Sequence, residues 1–217
     1  MRPLLKVMVI LAAVFASTFI LGRIFGILTE ANVRAWLQAA SETSPDWIVA
    51  VVFLLLFIDL FVAIPTMTVT ILAGYFLGFP LALAASLAGV SAAALTGYLI
   101  SLRFGDRVIR KLVADPQQRD DLTKAFHKNG PVMILLSRAA PIVPEVTACM
   151  AGATRMPPTR YATFFLLSTL PYVAVASYAG SVSTFDDPRP AIFAAIVLYG
   201  VLWIGWAMYR RRMKAKP

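Results

Sequence analysis

Long apolar runs, broken at uneven intervals by proline, glycine and a few isolated charges, set the pattern of this chain. The first runs over residues 4–28, apolar between Lys6 and Arg23. It passes through Phe19, Ile20 and Leu21, beyond the roughly 7–15 apolar residues of a cleavable leader, and reaches the ~20 residues that cross a bilayer. It predicts an uncleaved transmembrane helix despite a leader-like start. Residues 29–46 turn polar, with Glu30, Glu42 and Asp46 outweighing Arg34, and predict a short surface helix ending in a turn at Ser44-Pro45. Residues 47–64 are apolar apart from Asp59, and Pro65-Thr66 then interrupts them. A second apolar piece, with Gly74 and Gly78, ends at Pro80. Neither piece makes a comfortable crossing, so together they predict a helical hairpin that enters and leaves by one side. Residues 80–102 follow as an unbroken transmembrane helix so rich in Ala, Gly and Ser that neighbouring backbones can approach closely. Residues 103–130 are the one long polar stretch, with helical periodicity on either side of Pro116, expected to link two membrane segments. Residues 160–180 and 190–209 predict two further crossings around an acidic loop with Asp186 and Asp187, before a basic tail.

Between the polar stretch and those crossings lies 131–158, PVMILLSRAAPIVPEVTACMAGATRMPP, around which the rest is organised. It is apolar enough for a membrane, yet Pro141 and Pro144 each remove a backbone donor and clash with the preceding turn. Broken backbone at membrane depth is tolerated only where protein buries it or a wet cavity runs beside it. Arg138 and Glu145 are costly at that depth and so are functional candidates. The stretch predicts a second re-entrant hairpin with a polar tip.

The two hairpins share an order. Ala73-Gly74 stands before Pro80 and Ala151-Gly152 before Pro158, with the same six-residue step from glycine to proline. Asp59 and Pro65 precede the first glycine much as Arg138 and Pro144 precede the second. A transmembrane helix follows each hairpin. Units of this kind, inserted from opposite faces, form the inverted repeats found in many transporters.

Composition agrees with a membrane chain: of 217 residues, 59% are hydrophobic and 14% charged, with mean hydropathy +0.77. The net charge of +9 does not point to nucleic acid. The Lys and Arg residues stand in short runs beside apolar segments, as in loops that face anionic lipid on the cytoplasmic side. With both termini in the cytoplasm of a cell membrane, the basic 103–130 stretch, Arg155, Arg160 and the tail fall inside, and the acidic loop falls outside. Arg155 and Arg160 then serve as cytoplasmic anchors. The basic stretch reads either as an ordinary linker or as a lipid-headgroup surface. Cys149 has no partner for a disulfide and suits a small packed position; His127, in a charged loop, is expected to be solvated. No Cys/His cluster suggests a metal, and no cofactor is expected. One histidine cannot supply a Ser-His-Asp set, and no glycine-rich phosphate loop precedes a helix, so an enzyme is not expected. A carboxylate pair of Asp59 and Glu145 is the one enzyme-like combination.

The segments AIPTMTVTILAGYFLG, LISLRFGDRV and SRAAPIVPEVTACMAGATRMPPTRYATFFLLSTLPY resemble the DedA superfamily, in its SNARE-associated or VTT-domain branch. The resemblance covers about residues 47–180 and is most specific around Arg138, Pro141, Gly152, Arg155, Met156 and Pro157. It implies two opposed re-entrant loops and a role in lipid transport or scrambling, including recycling of polyprenyl-phosphate carriers, or in proton-dependent membrane homeostasis. By resemblance, Asp59 stands near the family's acidic position and Arg138 matches the first arginine of the second loop. Where many members carry another arginine six residues on, this chain has Pro144 followed by Glu145, so a second headgroup cation is missing.

The expectation is an all-α polytopic membrane protein with about four transmembrane helices and two inverted re-entrant hairpins. Its parts are an N-terminal helix and surface segment (1–46), a core (47–180), and a C-terminal helix with a basic tail (181–217). Asp59, Arg138 and Glu145 are the candidates for substrate binding or coupling. Arg138 can offer a guanidinium fork to a phosphate, or neutralise Asp59 or Glu145 structurally. Glu145 can take part in proton coupling, or reach water or cap a half-helix. Pro65, Gly74, Pro141, Pro144 and Gly152 are expected to shape the hairpins. The expected partners are membrane lipids with anionic headgroups, with protons and a homo-oligomer both left open. A scaffold or homeostasis role without transport, and a proton-coupled small-solute transporter, are the competing functions.

Overall fold

The computed structural model describes residues 2–24, 30–41, 44–62, 64–184 and 187–214. Residues 25–28 of the first expected helix, Glu42 and Asp186 lie outside the described residues, as do the last three. The regular structure among the described residues is all helical, without strands. In order they form α1 (Arg2–Ile24), α2 (Glu30–Ser41), α3 (Pro45–Ile58), α4 (Thr66–Leu77) and α5 (Phe79–Leu112). They continue as α6 (Pro116–Leu135), α7 (Val143–Ala153), α8 (Pro158–Ser181) and α9 (Arg189–Lys214).

Proline starts these helices more than it interrupts them. Pro45, Pro80, Pro116, Pro144 and Pro158 lie in first turns, where the missing N–H has no intrahelical partner to lose. Pro65 is the N-cap of α4. The Asp115 side chain caps α6 by accepting from Gln117 N at 2.9 Å.

Three expectations need correction. Helix α5 does not stop at 102 but runs on to Leu112, because Arg103–Leu112 keeps a helical face with Gly105 and Ile109 buried. The second hairpin does not begin at 131: its first arm is α6, which starts at Pro116 and carries Pro131 in its interior. His127 is not free in a loop. It is half-buried on α6, with Nε2 2.9 Å from the Thr154 carbonyl, to which it donates.

Three helices are long and apolar enough to cross a membrane: α5, α8 and the Arg189–Met208 part of α9. Pro3–Thr18, α3 and α4 are apolar but shorter. The two expected hairpins are helix–break–helix units, α3 to α4 and α6 to α7, with α5 and α8 following them. Helix α2 packs on both arms of the first unit, burying Val33 and Leu37.

Each unit's second arm packs on the long helix that follows the other unit, α4 on α8 and α7 on α5. Glycine makes both approaches. A Cβ at Gly74 would strike the Ser177 carbonyl and lie 3.0 Å from Gly180 Cα. A Cβ at Gly152 would strike the Tyr98 carbonyl and lie 2.8 Å from Leu102 N. The interval from Gly74 to Gly152 equals that from Leu102 to Gly180, so one packing contact occurs twice along the repeat.

The helix ends sort by charge. Lys6 donates to the Leu112 carbonyl at 3.3 Å, Gly105 packs on Ala153, and His127 meets Thr154. The start of α1, the basic end of α5 and the end of α7 with Arg155 therefore share one end of the bundle. At the other end Phe79 stands edge-on to Tyr178, ring centroids 5.9 Å apart, and Asp187 pairs with Arg189 at 3.6 Å.

Candidate functional site

The two breaks meet. Helix α3 ends at Ile58, and Asp59 takes up the chain where it turns toward Pro65. The backbone N–H of Ile64 donates to Asp59 Oδ1 at 2.6 Å, and the Thr66 hydroxyl donates to Oδ2 at 2.7 Å. Both bonds lie within seven residues, so the carboxylate staples its own turn and satisfies donors at the start of α4. The second break runs from Leu136 through a 3-10 turn, Ser137–Ala139, to Ile142. Ile142 has φ 72°, in the left-handed region. A β-branched residue there is strained, and such strain gathers at sites that the surrounding structure over-determines. Val143 then starts α7, with Glu145 in its first turn.

Arg138 on the 3-10 turn is buried, as is Asp59. Its Nη2 donates to Thr169 Oγ1 of α8 at 3.2 Å, and its guanidinium carbon lies 5.4 Å from the centroid of the Tyr172 ring. Among the described residues no carboxylate oxygen comes within 4.0 Å of it. Its Nε and the Glu145 Oε2 are both buried without a hydrogen-bond partner in the protein. Buried polar atoms are rarely left unpaired, so two of opposite character at one place make this the candidate site.

Asp59, Arg138, Pro144 and Glu145 line two adjoining spaces. The smaller, about 20 Å³, is walled by Leu56, Val90 and Phe165, and has room for about one water molecule. The larger is a cavity of about 610 Å³, within the range of ligand clefts. Its walls come from both breaks, from Tyr172 on α8, and from Ala191, Ala195 and Tyr199 on α9.

Of the residues expected from sequence, Asp59, Arg138 and Glu145 thus come together, and Pro65, Pro141 and Pro144 line the same cavity. Gly74 and Gly152 stand away from it, at the helix crossings. Arg155 and Arg160 are exposed at the basic end. Arg155, at φ 54°, closes α7: its N–H donates to Gly152 O at 3.0 Å, and that of Met156 donates to Ala151 O at 2.9 Å. This pair of bonds is a Schellman cap, with Arg155 in the position usually held by glycine.

Sequence reasoning missed Thr66, Thr169, Tyr172 and Tyr199. Thr169 and Tyr172 lie three positions apart on one face of α8, but that helix carries several other hydroxyl groups, so nothing singled them out. Tyr199 carried no signal, because nothing in α9 indicates what it lies against.

Among known proteins, the VTT domain matches residues 64–182 of the chain. No curated protein and no solved structure is similar enough to match. The match spans both breaks' second arms and the whole of α5 and α8, more than half of the chain, and the chain therefore belongs to the VTT-domain family, the DedA/SNARE-associated group of membrane proteins.

Proposed function

We propose that this protein moves lipid headgroups across a cell membrane, as a transporter or scramblase and not as an enzyme. The observation that carries the reading is the convergence of Asp59, Arg138 and Glu145, from two separate helix breaks, on one cavity of about 610 Å³. In this reading four helices cross the bilayer, α1, α5, α8 and α9, with both termini in the cytoplasm. The two broken units are re-entrant hairpins inserted from opposite faces, and their tips meet near the midplane.

The headgroup of a phospholipid or polyprenyl phosphate passes between those tips. Arg138 is held by Thr169 and Tyr172 with Nε still free to donate, which leaves part of its fork available to a phosphate oxygen. Asp59 spends both oxygens on its own turn and holds the first tip in shape. Glu145 keeps one oxygen without a partner and is the group suited to carry a proton or to receive a cationic headgroup. Replacing bulk water by these fixed groups lowers the cost of taking a charged headgroup through hydrocarbon.

The test is flipping of a fluorescent phospholipid in proteoliposomes, read with an impermeant quencher, for the wild type, Arg138→Ala and Glu145→Gln. Acceleration by the wild type and its loss in folded variants is the expected result. A wild-type rate equal to that of empty liposomes, across several headgroups including a polyprenyl phosphate, would refute transport and favour a scaffold role.

A further inference from the structure

A second cavity, of about 280 Å³, lies on the other side of the second break. Its walls are Met8 of α1, Met133 of α6, Leu136 and Val143 beside the break, and Trp203 and Trp206 of α9. None of its lining side chains is charged. Ala140 lines both this cavity and the polar one, so the two are neighbours across a single residue of the 3-10 turn's exit.

Helix α9 joins them lengthwise. Ala191, Ala195 and Tyr199 face the polar cavity, and Trp203, one further step of four residues along, faces the apolar one. Steps of four keep to one face of a helix, so both cavities lie under one stripe of α9. From Ala191 to Trp206 that stripe is about 22 Å long at 1.5 Å per residue. The apolar cavity is too small for a helix, which is about 10 Å across, but it suits a single hydrocarbon chain. Trp203 and Trp206 stand edge-to-face at its wall, centroids 5.7 Å apart and ring planes inclined at 67°, so the two indoles form an apolar corner against which such a chain can lie.

We propose that the protein binds an anionic lipid with its phosphate at Arg138 and one hydrocarbon chain held under α9 in the apolar cavity. The inference rests on the headgroup site proposed above and deepens it. Only the second chain of a two-chain lipid would remain in the bilayer, and the affinity would depend on the tail as well as the headgroup.

The experiment is photolabelling in phosphatidylcholine proteoliposomes that contain phosphatidylglycerol with a diazirine at the end of one acyl chain, followed by mapping of the adducts. Labelling of the half-buried Met8 and Met133 should exceed that of the outward Leu166, Leu167 and Phe193 roughly tenfold, an occupancy preference of about 1.4 kcal/mol. Met133→Trp and Leu136→Trp, two independent ways of filling the cavity, should each remove that excess. Even labelling over outward and cavity residues would mean annular lipid only and overturn the proposal, as would an excess that survives whichever filling variant folds. Flipping measured on the same vesicles separates the two readings. Even labelling with rapid flipping defeats the chain site alone, whereas concentrated labelling without flipping defeats transport and leaves the chain site standing.

Discussion

Gly152→Ala probes the contact on which the second helix–break–helix unit rests. The added Cβ would fall on the Tyr98 carbonyl, with Leu102 N at 2.8 Å and Ser101 Cβ at 3.0 Å. The Tyr98 and Leu102 atoms are backbone of α5, so no rotamer change can relieve the clash and the helices must move apart. In a helix interior the exchange of Gly for Ala is otherwise favourable by about 0.8–1 kcal/mol. Overpacking a close contact costs about 1–3 kcal/mol. The control is Gly200→Ala, in α9, where a Cβ meets nothing within 4 Å and only the favourable part applies. The difference between the two variants isolates the steric cost, about 1–3 kcal/mol against Gly152→Ala. Gly74→Ala should behave like Gly152→Ala, since its Cβ strikes the Ser177 carbonyl on α8. Unfolding in mixed micelles with rising denaturing detergent, followed by tryptophan fluorescence, measures all three. Equal midpoints for Gly152→Ala and Gly200→Ala would refute the close approach of α7 to α5, and with it the repeated contact.

Asp59→Ala strands the buried N–H of Ile64 and should cost about 1–3 kcal/mol in the same titration, whereas Asp59→Asn keeps an acceptor for it and should cost less. An equal loss for both would show that charge, not the turn bond, matters for stability. Arg155→Gly should stabilise the protein by about 0.5–1 kcal/mol, because the 1–2 kcal/mol penalty of the left-handed position outweighs the flexibility of glycine; destabilisation would mean that the Arg155 side chain makes an anchoring contribution larger than the strain. With Cys149 replaced by Ala, cysteines at Arg107 and Arg160 should react with an impermeant maleimide from one side of sealed vesicles and a cysteine at Asp187 from the other. Reaction of all three from one side would break the arrangement of the ends.

How much of this was legible in the sequence depends on how local each cause is. Long apolar runs need no partner to be read, so the membrane class and the all-helical fold were plain, and the prolines between Pro65 and Pro158 located both breaks to within a few residues. The rare charges Asp59, Arg138 and Glu145 stood out for the same reason: solvation in hydrocarbon is costly wherever the chain goes. Helical periodicity on either side of Pro116 was legible in the polar stretch, but not that its first part continues the preceding transmembrane helix, since only the burial of Gly105 and Ile109 against other segments keeps α5 packed as far as Leu112. Contacts between distant segments were out of reach. That Arg138 is held by Thr169 and Tyr172, that His127 docks on Thr154, and that Ala140 stands between a polar and an apolar cavity are decided by how α8, α9 and the second break pack together. The sequence by itself determined which residues could not face lipid without compensation. Only the tertiary structure decided what compensates them, because hydrogen bonds and cavities belong to pairs of surfaces, and periodicity along one chain records only one of the two.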